Sequence, residues 1–228
     1  MLGLALVLLA GTGVALAVTL VGGGAQTDQT APAPSAPAQV GGAAAPAGTQ
    51  RFALAPGQSS VTYRVDETLF NEGNRLATAV GTTTEVRGDI FVHRTQPARS
   101  RIGTITVDIS QFKSDSTRRD NAIRGRWLES EKYPIAEFTS TEIKGLPASY
   151  VDGREIPVQI TGNLKIRNIT RPTTWQATIK LAGDQLTVTG KTEIKMTDFG
   201  FDPPAIVFLR TVNEARLEFR FVAAARSD

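Results

Sequence analysis

His93 is the single histidine of the chain, and cysteine is absent. Ser–His and Cys–His catalysis needs an imidazole beside its nucleophile, so any such device here has to pass through His93. That residue ends a strand-like run before Arg94-Thr95-Gln96-Pro97, with no second ligand at metal spacing, and reads as solvent-facing or structural. Glu129, Glu131 and Glu137 are the carboxylates closest to an acid–base arrangement, but their spacing is that of a solvated face. A working acid or base needs a carboxylate perturbed inside the fold, and the inward-facing strand positions are expected to hold none. Asp198-Phe199-Gly200 matches a kinase tripeptide without the phosphate loop or the catalytic-loop motif that would give it a role. Arg118, Arg119, Arg124 and Arg126 are the only bunched cations, and the 25 Lys and Arg stand against 22 Asp and Glu spread along the chain. Nucleic-acid binders cluster basic and aromatic residues on one face, so that class is set aside. The expected inventory is no catalytic residue, no metal, no cofactor and no nucleic acid. What remains is apolar burial.

The arginine cluster belongs to the one convincing helix outside the N-terminal region. Asp115, Ser116 and Thr117 offer an N-cap, and Asp120 places negative charge in the first turn. Ile123 and Trp127 are four apart and share a face. Pro134 stops the helix and biases Tyr133 toward extended geometry. Strand periods lie on both sides. Val61, Tyr63 and Val65 alternate first, then Val86 to Val92, Ile105 to Ile109, Ala136 to Ser140, Ile156 to Ile166, Trp175 to Leu181, Leu186 to Met196, and Leu217 to Phe221. Gly183-Asp184 fits a tight hairpin turn between the sixth and seventh runs. Consecutive antiparallel strands of this kind close into an up-and-down barrel or fold into a sandwich. The length of several strands and the mid-strand Gly88, Gly162 and Gly190 favour the barrel. The expected fold class is all-β: an eight-stranded antiparallel up-and-down barrel with a short lid helix between the third and fourth strands.

A barrel of that size holds either its own side chains or one slender ligand. Its inward phase leans on Val, Ile and Leu, with aromatic residues only 7% of the chain. The expected tunnel lining is Val86, Gly88, Ile90, Ile105, Val107, Ile109, Phe138, Val158, Ile160, Gly162, Leu164, Ile166, Trp175, Ile179, Val188, Gly190, Ile194, Leu217 and Phe219. Ile123 and Trp127 should cover one end as a lid. Gly88, Gly162 and Gly190 stand in the apolar phase in mid-strand, where either a ligand or a packed neighbour needs their room.

Residues 1–21 form an uncharged apolar run, close to the roughly twenty residues that span a bilayer. Ala15-Leu16-Ala17 resembles a signal-peptidase site, although the positive n-region is missing. The run is expected to be a signal peptide or an N-terminal membrane anchor, placing the rest outside the cytoplasm, in the periplasm. Residues 22–50 are rich in Ala, Pro and Gly and are expected to be a disordered tether. Residues 51–228 hold all the Lys and Arg and every acid except Asp28. They form the expected globular domain.

The domain resembles the YceI-like family of lipocalin-like, polyisoprenoid-binding barrels. The matching elements are Val86-x-Gly88, Arg119-Asp120-x-x-Ile123-Arg124 leading through Trp127-Leu128 to Tyr133-Pro134-x-x-x-Phe138, Gly162-x-Leu164-x-Ile166, Thr170-Arg171-Pro172 and Asp198-Phe199-Gly200. They cover nearly all of 60–223 in the family's order. The resemblance implies an exported protein that holds a long isoprenoid chain or another long-chain lipid inside the barrel, with Arg119 or Arg124 available to a phosphate head group. Two departures bear on that head group: Ala122 stands where the family often has His, and Lys195-Met196-Thr197 stands where Arg is common. A non-binding structural or stress-protective envelope protein is the alternative class, and an enzyme acting on an apolar substrate is the third.

Overall fold

The apolar alternation folds into a single antiparallel sheet, seen in a computed structural model that describes residues 46–226. The apolar run 1–21 and the tether up to residue 45 lie outside the described residues. The strands are β1 (Gln50–Leu54), β2 (Ser60–Leu69), β3 (Arg75–Thr83), β4 (Val86–Arg87), β5 (Asp89–Val92), β6 (Arg101–Ile102), β7 (Ile105–Asp108), β8 (Ile135–Lys144), β9 (Glu155–Ile166), β10 (Ile169–Ala182), β11 (Gln185–Lys195), β12 (Ala205–Ile206) and β13 (Leu209–Arg226). Helix α1 (Thr117–Ala122) and a π turn (Ile123–Trp127) lie between β7 and β8, where the lid was expected. Short breaks at 55–59, 84–85, 88 and 103–104 divide what are otherwise eight long runs, with β12 a stub folded onto β13.

Pairing runs from β4 through β7, β8, β9, β10, β11 and β13 to β1 and β5. Only Gly88 separates β5 from β4, so the sheet curls back to the run at which it started. The long β13 holds this together: β11 pairs with one of its edges, and β1 and then β2 pair with the other. The hairpin turn falls at Gly183-Asp184 as expected, closed by the Ala182–Gln185 pair, with Gly183 at φ +56°.

Three features differ from the sequence reading. β1 and β3 were not read as strands, and β10 begins at Ile169 rather than near Trp175. Pro172 is tolerated inside β10 because it pairs with Asn163 of β9 on one side only; pairing with β11 begins at Gln176. β3 has β2 on one edge, and its other edge makes a single bridge, Thr82 to Lys113, among the described residues. The barrel is splayed there, and the segment carrying α1 crosses the gap.

Ser116 caps α1, its Oγ accepting from Arg119 N at 3.3 Å. The buried Asp120 accepts from Ser114 N at 3.0 Å and Ser114 Oγ at 2.6 Å, folding the lead-in against the helix. Glu129 and Arg167 form an ion pair, and Arg167 also donates to the carbonyls of Trp127 at 3.5 Å and Gly200 at 3.4 Å. Asp-Phe-Gly is thereby explained as structure. Phe199 is 1% exposed, Gly200 takes φ +74°, and its carbonyl receives the arginine that latches the lid.

The interior divides into two apolar clusters. One fills the closed end around Phe52, Val86, Val158, Ile179, Leu186 and Ala223. The other, around Val65, Phe112, Leu164, Ile194, Phe199 and Ala215, belongs to the splayed end. His93 is buried at the closed end, where Gln96 N donates to its Nδ1 at 3.1 Å and Gly48 packs against its ring.

Candidate functional site

At the splayed end the inner faces do not meet, and they enclose a cavity of about 780 Å³. Its floor is aromatic. Phe138 and Trp175 meet edge to face with centroids 6.0 Å apart, Trp175 and Phe219 at 5.2 Å, and Phe219 stacks on Phe221 at 4.2 Å. Cross-strand glycines make room for the rings. Phe219 lies opposite Gly190, where a Cβ would stand 2.5 Å from the ring. Gly162 gives the same room to Phe138, at 2.6 Å, and a side chain there would also strike the Thr139 carbonyl. Tyr63 covers Gly81 opposite it in the same way. At Gly162 and Gly190 the space therefore belongs to a packed neighbour rather than to a ligand.

Of the expected lining, Ile90, Ile105, Val107, Ile109, Phe138, Ile160, Leu164, Ile166, Trp175, Val188, Ile194, Leu217 and Phe219 border the cavity, as do Ile123 and Trp127 from the lid. Val86, Gly88, Val158, Gly162, Ile179 and Gly190 do not. Val86, Val158 and Ile179 face inward in the closed half, which side chains fill. Strand phase tells which face a residue occupies and is silent on its height in the barrel. Gly88 marks the break between β4 and β5, where a Cβ would meet Ile105 Cδ1 at 2.6 Å.

The head-group expectation needs correction. Arg124 does not border the cavity; it ties the helix down through the carbonyls of Asp120 and Ser110, both at 3.2 Å. Arg119 does border it, but its guanidinium is engaged by Glu67 at 3.3 Å, by Ser114 at 3.4 Å and by Asp115. The expectation of no inward carboxylate also fails, because Glu67 is 6% exposed and lines the cavity. It continues the Val61, Tyr63, Val65 phase by one step, which the sequence displays. Burial pushes the Tyr63 hydroxyl up to about 12, with the nearby Asp120 carboxylate adding to the effect.

The sequence reading also missed the wall contributed by β3 through Ala77 and Ala79, and the rim formed by Phe201, Pro204, Ile206, Phe208 and Leu209. Small residues carry little hydrophobic periodicity, so the first had no signal. Ile206-Val207-Phe208-Leu209 is a visible apolar run.

An antiparallel barrel that is packed at one end, hollow at the other and covered there by a short helix is a lipocalin-like architecture. The family model of the YceI-like domain matches residues 52–223, and the chain belongs to that family. It is 28% identical over 130 residues to UPF0312 protein plu2095 of Photorhabdus laumondii, a match covering 53% of this chain and 62% of that protein. It is 31% identical over 105 residues to protein YceI of Escherichia coli O6:H1, covering 46% and 50%. The chain thus spans between half and two thirds of the length of these relatives. BcnA of Burkholderia cenocepacia has a similar structure, with TM-score 0.58 and 19% identity over 75% of this chain and 99% of that one. A polyisoprenoid binding domain from Saccharophagus degradans, implicated in plant cell wall breakdown, gives TM-score 0.57 and 11% identity over 77% and 98%. At these identities the likeness is one of fold.

Proposed function

We propose that this protein binds a long apolar lipid of the isoprenoid type in the barrel cavity and carries it outside the cytoplasm. The observation that supports the reading most is the hollow half: about 780 Å³ bordered by Ile, Leu, Val and aromatic side chains. That volume lies within the ~300–1,000 Å³ usual for small-molecule sites. Burying hydrocarbon is worth ~0.8 kcal/mol per methylene before ordering costs, so a chain of several isoprene units outweighs any single polar contact. With Arg119 already engaged by two carboxylates, the tail sets affinity. The related fold described as a polyisoprenoid binding domain points the same way. Export rests on the apolar run 1–21 alone; among the described residues no helix is long and apolar enough to cross a membrane.

Native mass spectrometry of the full chain after gentle extraction tests the proposal. One lipid per chain is expected, exchangeable for added geranylgeraniol and released unaltered. Leu217→Trp, which adds bulk above the aromatic floor, should exclude the lipid while the protein stays folded. A wild-type protein that is empty and takes up no geranylgeraniol would favour the structural or stress-protective reading, and release of an altered product would favour an enzyme.

A further inference from the structure

We infer that the tip of the β12–β13 hairpin and the adjoining β2–β3 turn form a surface that docks on a lipid bilayer, and that the ligand passes between membrane and cavity there; this deepens the lipid-binding proposal and rests on it. Ile135 and Val151 are also exposed, but most of the exposed large apolar side chains among the described residues gather at this rim: Val207 is 97% exposed and Leu76 79%, with Ile206 at 41%, Phe208 at 39% and Phe70 at 42%. They are contiguous. Phe70 N donates to Phe208 O at 2.9 Å, Leu209 pairs with Leu69, and Thr68 pairs with Leu76. A monomeric surface rarely keeps so many together without a partner.

Continuity and charge select the partner. Ile206, Phe208 and Leu209 border the cavity, so the exposed patch and the cavity wall share side chains. A hydrocarbon leaving along them exchanges one apolar surface for another. From Pro203 to Asn213 the only charged residue is Arg210. Arg118 of α1 lies over the Phe208 ring at 5.9 Å. Among the described residues neither has an ion pair, whereas the neighbouring Arg75 and Arg119 are paired with Glu72 and Glu67. Apolar side chains flanked by unpaired cations match the acyl–headgroup boundary of an anionic membrane. A second copy of this chain fits less well, because a two-fold contact through the tip would set Arg118 and Arg210 against their own images.

The absence of cysteine allows a unique label. Val207→Cys in the full chain, carrying an environment-sensitive dye, is mixed with phosphatidylcholine–phosphatidylglycerol vesicles containing doxyl-labelled lipid. The control is Asp184→Cys, in the β10–β11 turn, where the side chain is 81% exposed. Docking predicts a blue shift and quenching at 207 and neither at 184. Arg118→Gln and Arg210→Gln should each weaken the response about fivefold. Equal signals at both positions would overturn the inference, as would a shift at 207 that needs no vesicles and grows with protein concentration, the mark of a second copy. Lipid retention is read on the same preparations. A chain that retains lipid without inserting its tip refutes only the docking; one that retains none refutes the function beneath it.

Discussion

The two halves of this barrel are built from the same strands and differ in what the inward positions carry. In the closed half, Phe52, Leu54, Val92, Leu186 and Ala223 are each at most 6% exposed, and side chains fill the interior. In the splayed half, β13 bulges against β2 between Thr211 and Ala215, β3 contributes Ala77 and Ala79, and the interior stays open. The Phe138, Trp175, Phe219 and Phe221 rings divide the two. One half holds the fold, so the other can remain under-packed, a state that dispersion and hydrophobic terms otherwise oppose.

The sharpest way to break that division is to truncate one residue on each side. Phe52 is 0% exposed in the closed half, with the Arg94 guanidinium 5.8 Å above its ring. Phe52→Ala should cost ~3–5 kcal/mol, the usual range for a buried phenylalanine. Ile123 is half-buried and borders the cavity, so Ile123→Ala should cost ~1 kcal/mol, having fewer contacts to lose. Denaturant unfolding of both variants decides it. Equal losses would mean that the hollow half is as tightly packed as the closed one.

A smaller effect separates the aromatic floor from the cavity above it. Gly162→Leu would drive a side chain into Phe138 and the Thr139 carbonyl, and should cost ~1–3 kcal/mol or more by overpacking. Leu217→Trp, on β13 and bordering the cavity, should leave thermal unfolding nearly unchanged and act on lipid retention. If Gly162→Leu instead folds normally and loses only the long lipid, the floor is part of the binding surface.

This contrast also explains what the sequence could disclose. The lid helix, its Ser116 cap, the eight long runs and thirteen of the lining positions follow from periods of 3.6 and 2, which large apolar side chains make visible. The placement of Val86, Val158 and Ile179 in the packed half did not follow, because height in a barrel depends on stagger between strands far apart in the chain. β3 was missed because Ala77, Ala79 and Gly81 leave almost no hydrophobic signal. Those small residues are also what keeps the wall back from the axis. Glu67 continued a readable phase, but only the structure brings Arg119 to it across a sequence distance of 52 residues.

The smallest predicted effect compares two tyrosines, one in each half. Tyr63 borders the cavity, and burial with nearby Asp120 raises its hydroxyl to about 12. Tyr150 packs against the closed-end cluster; burial raises it too, while its hydrogen bond with Ser100, at 3.3 Å, works against the rise. A phenol whose pKa is raised on folding is held neutral by the fold. Below pH ~10 both folded and unfolded chains keep the proton, and stability does not change. As pH climbs from ~10 to ~12 the unfolded chain gives up its proton first, so stability falls through that window and levels off above it. For Tyr63 the two-unit window corresponds to at most ~3 kcal/mol, and to ~1 kcal/mol after partial solvent screening. Tyr63→Phe should therefore flatten the alkaline limb of the stability curve more than Tyr150→Phe does. Loading the cavity with geranylgeraniol removes water from around Tyr63 and not from Tyr150, so the lipid should push the Tyr63 titration still higher. Subtracting the ultraviolet titration of each single variant from that of the unaltered protein, empty and loaded, isolates each shift, because Tyr133 is common to all. A lipid-dependent change at Tyr150 with none at Tyr63 would place the ligand in the wrong half of the barrel.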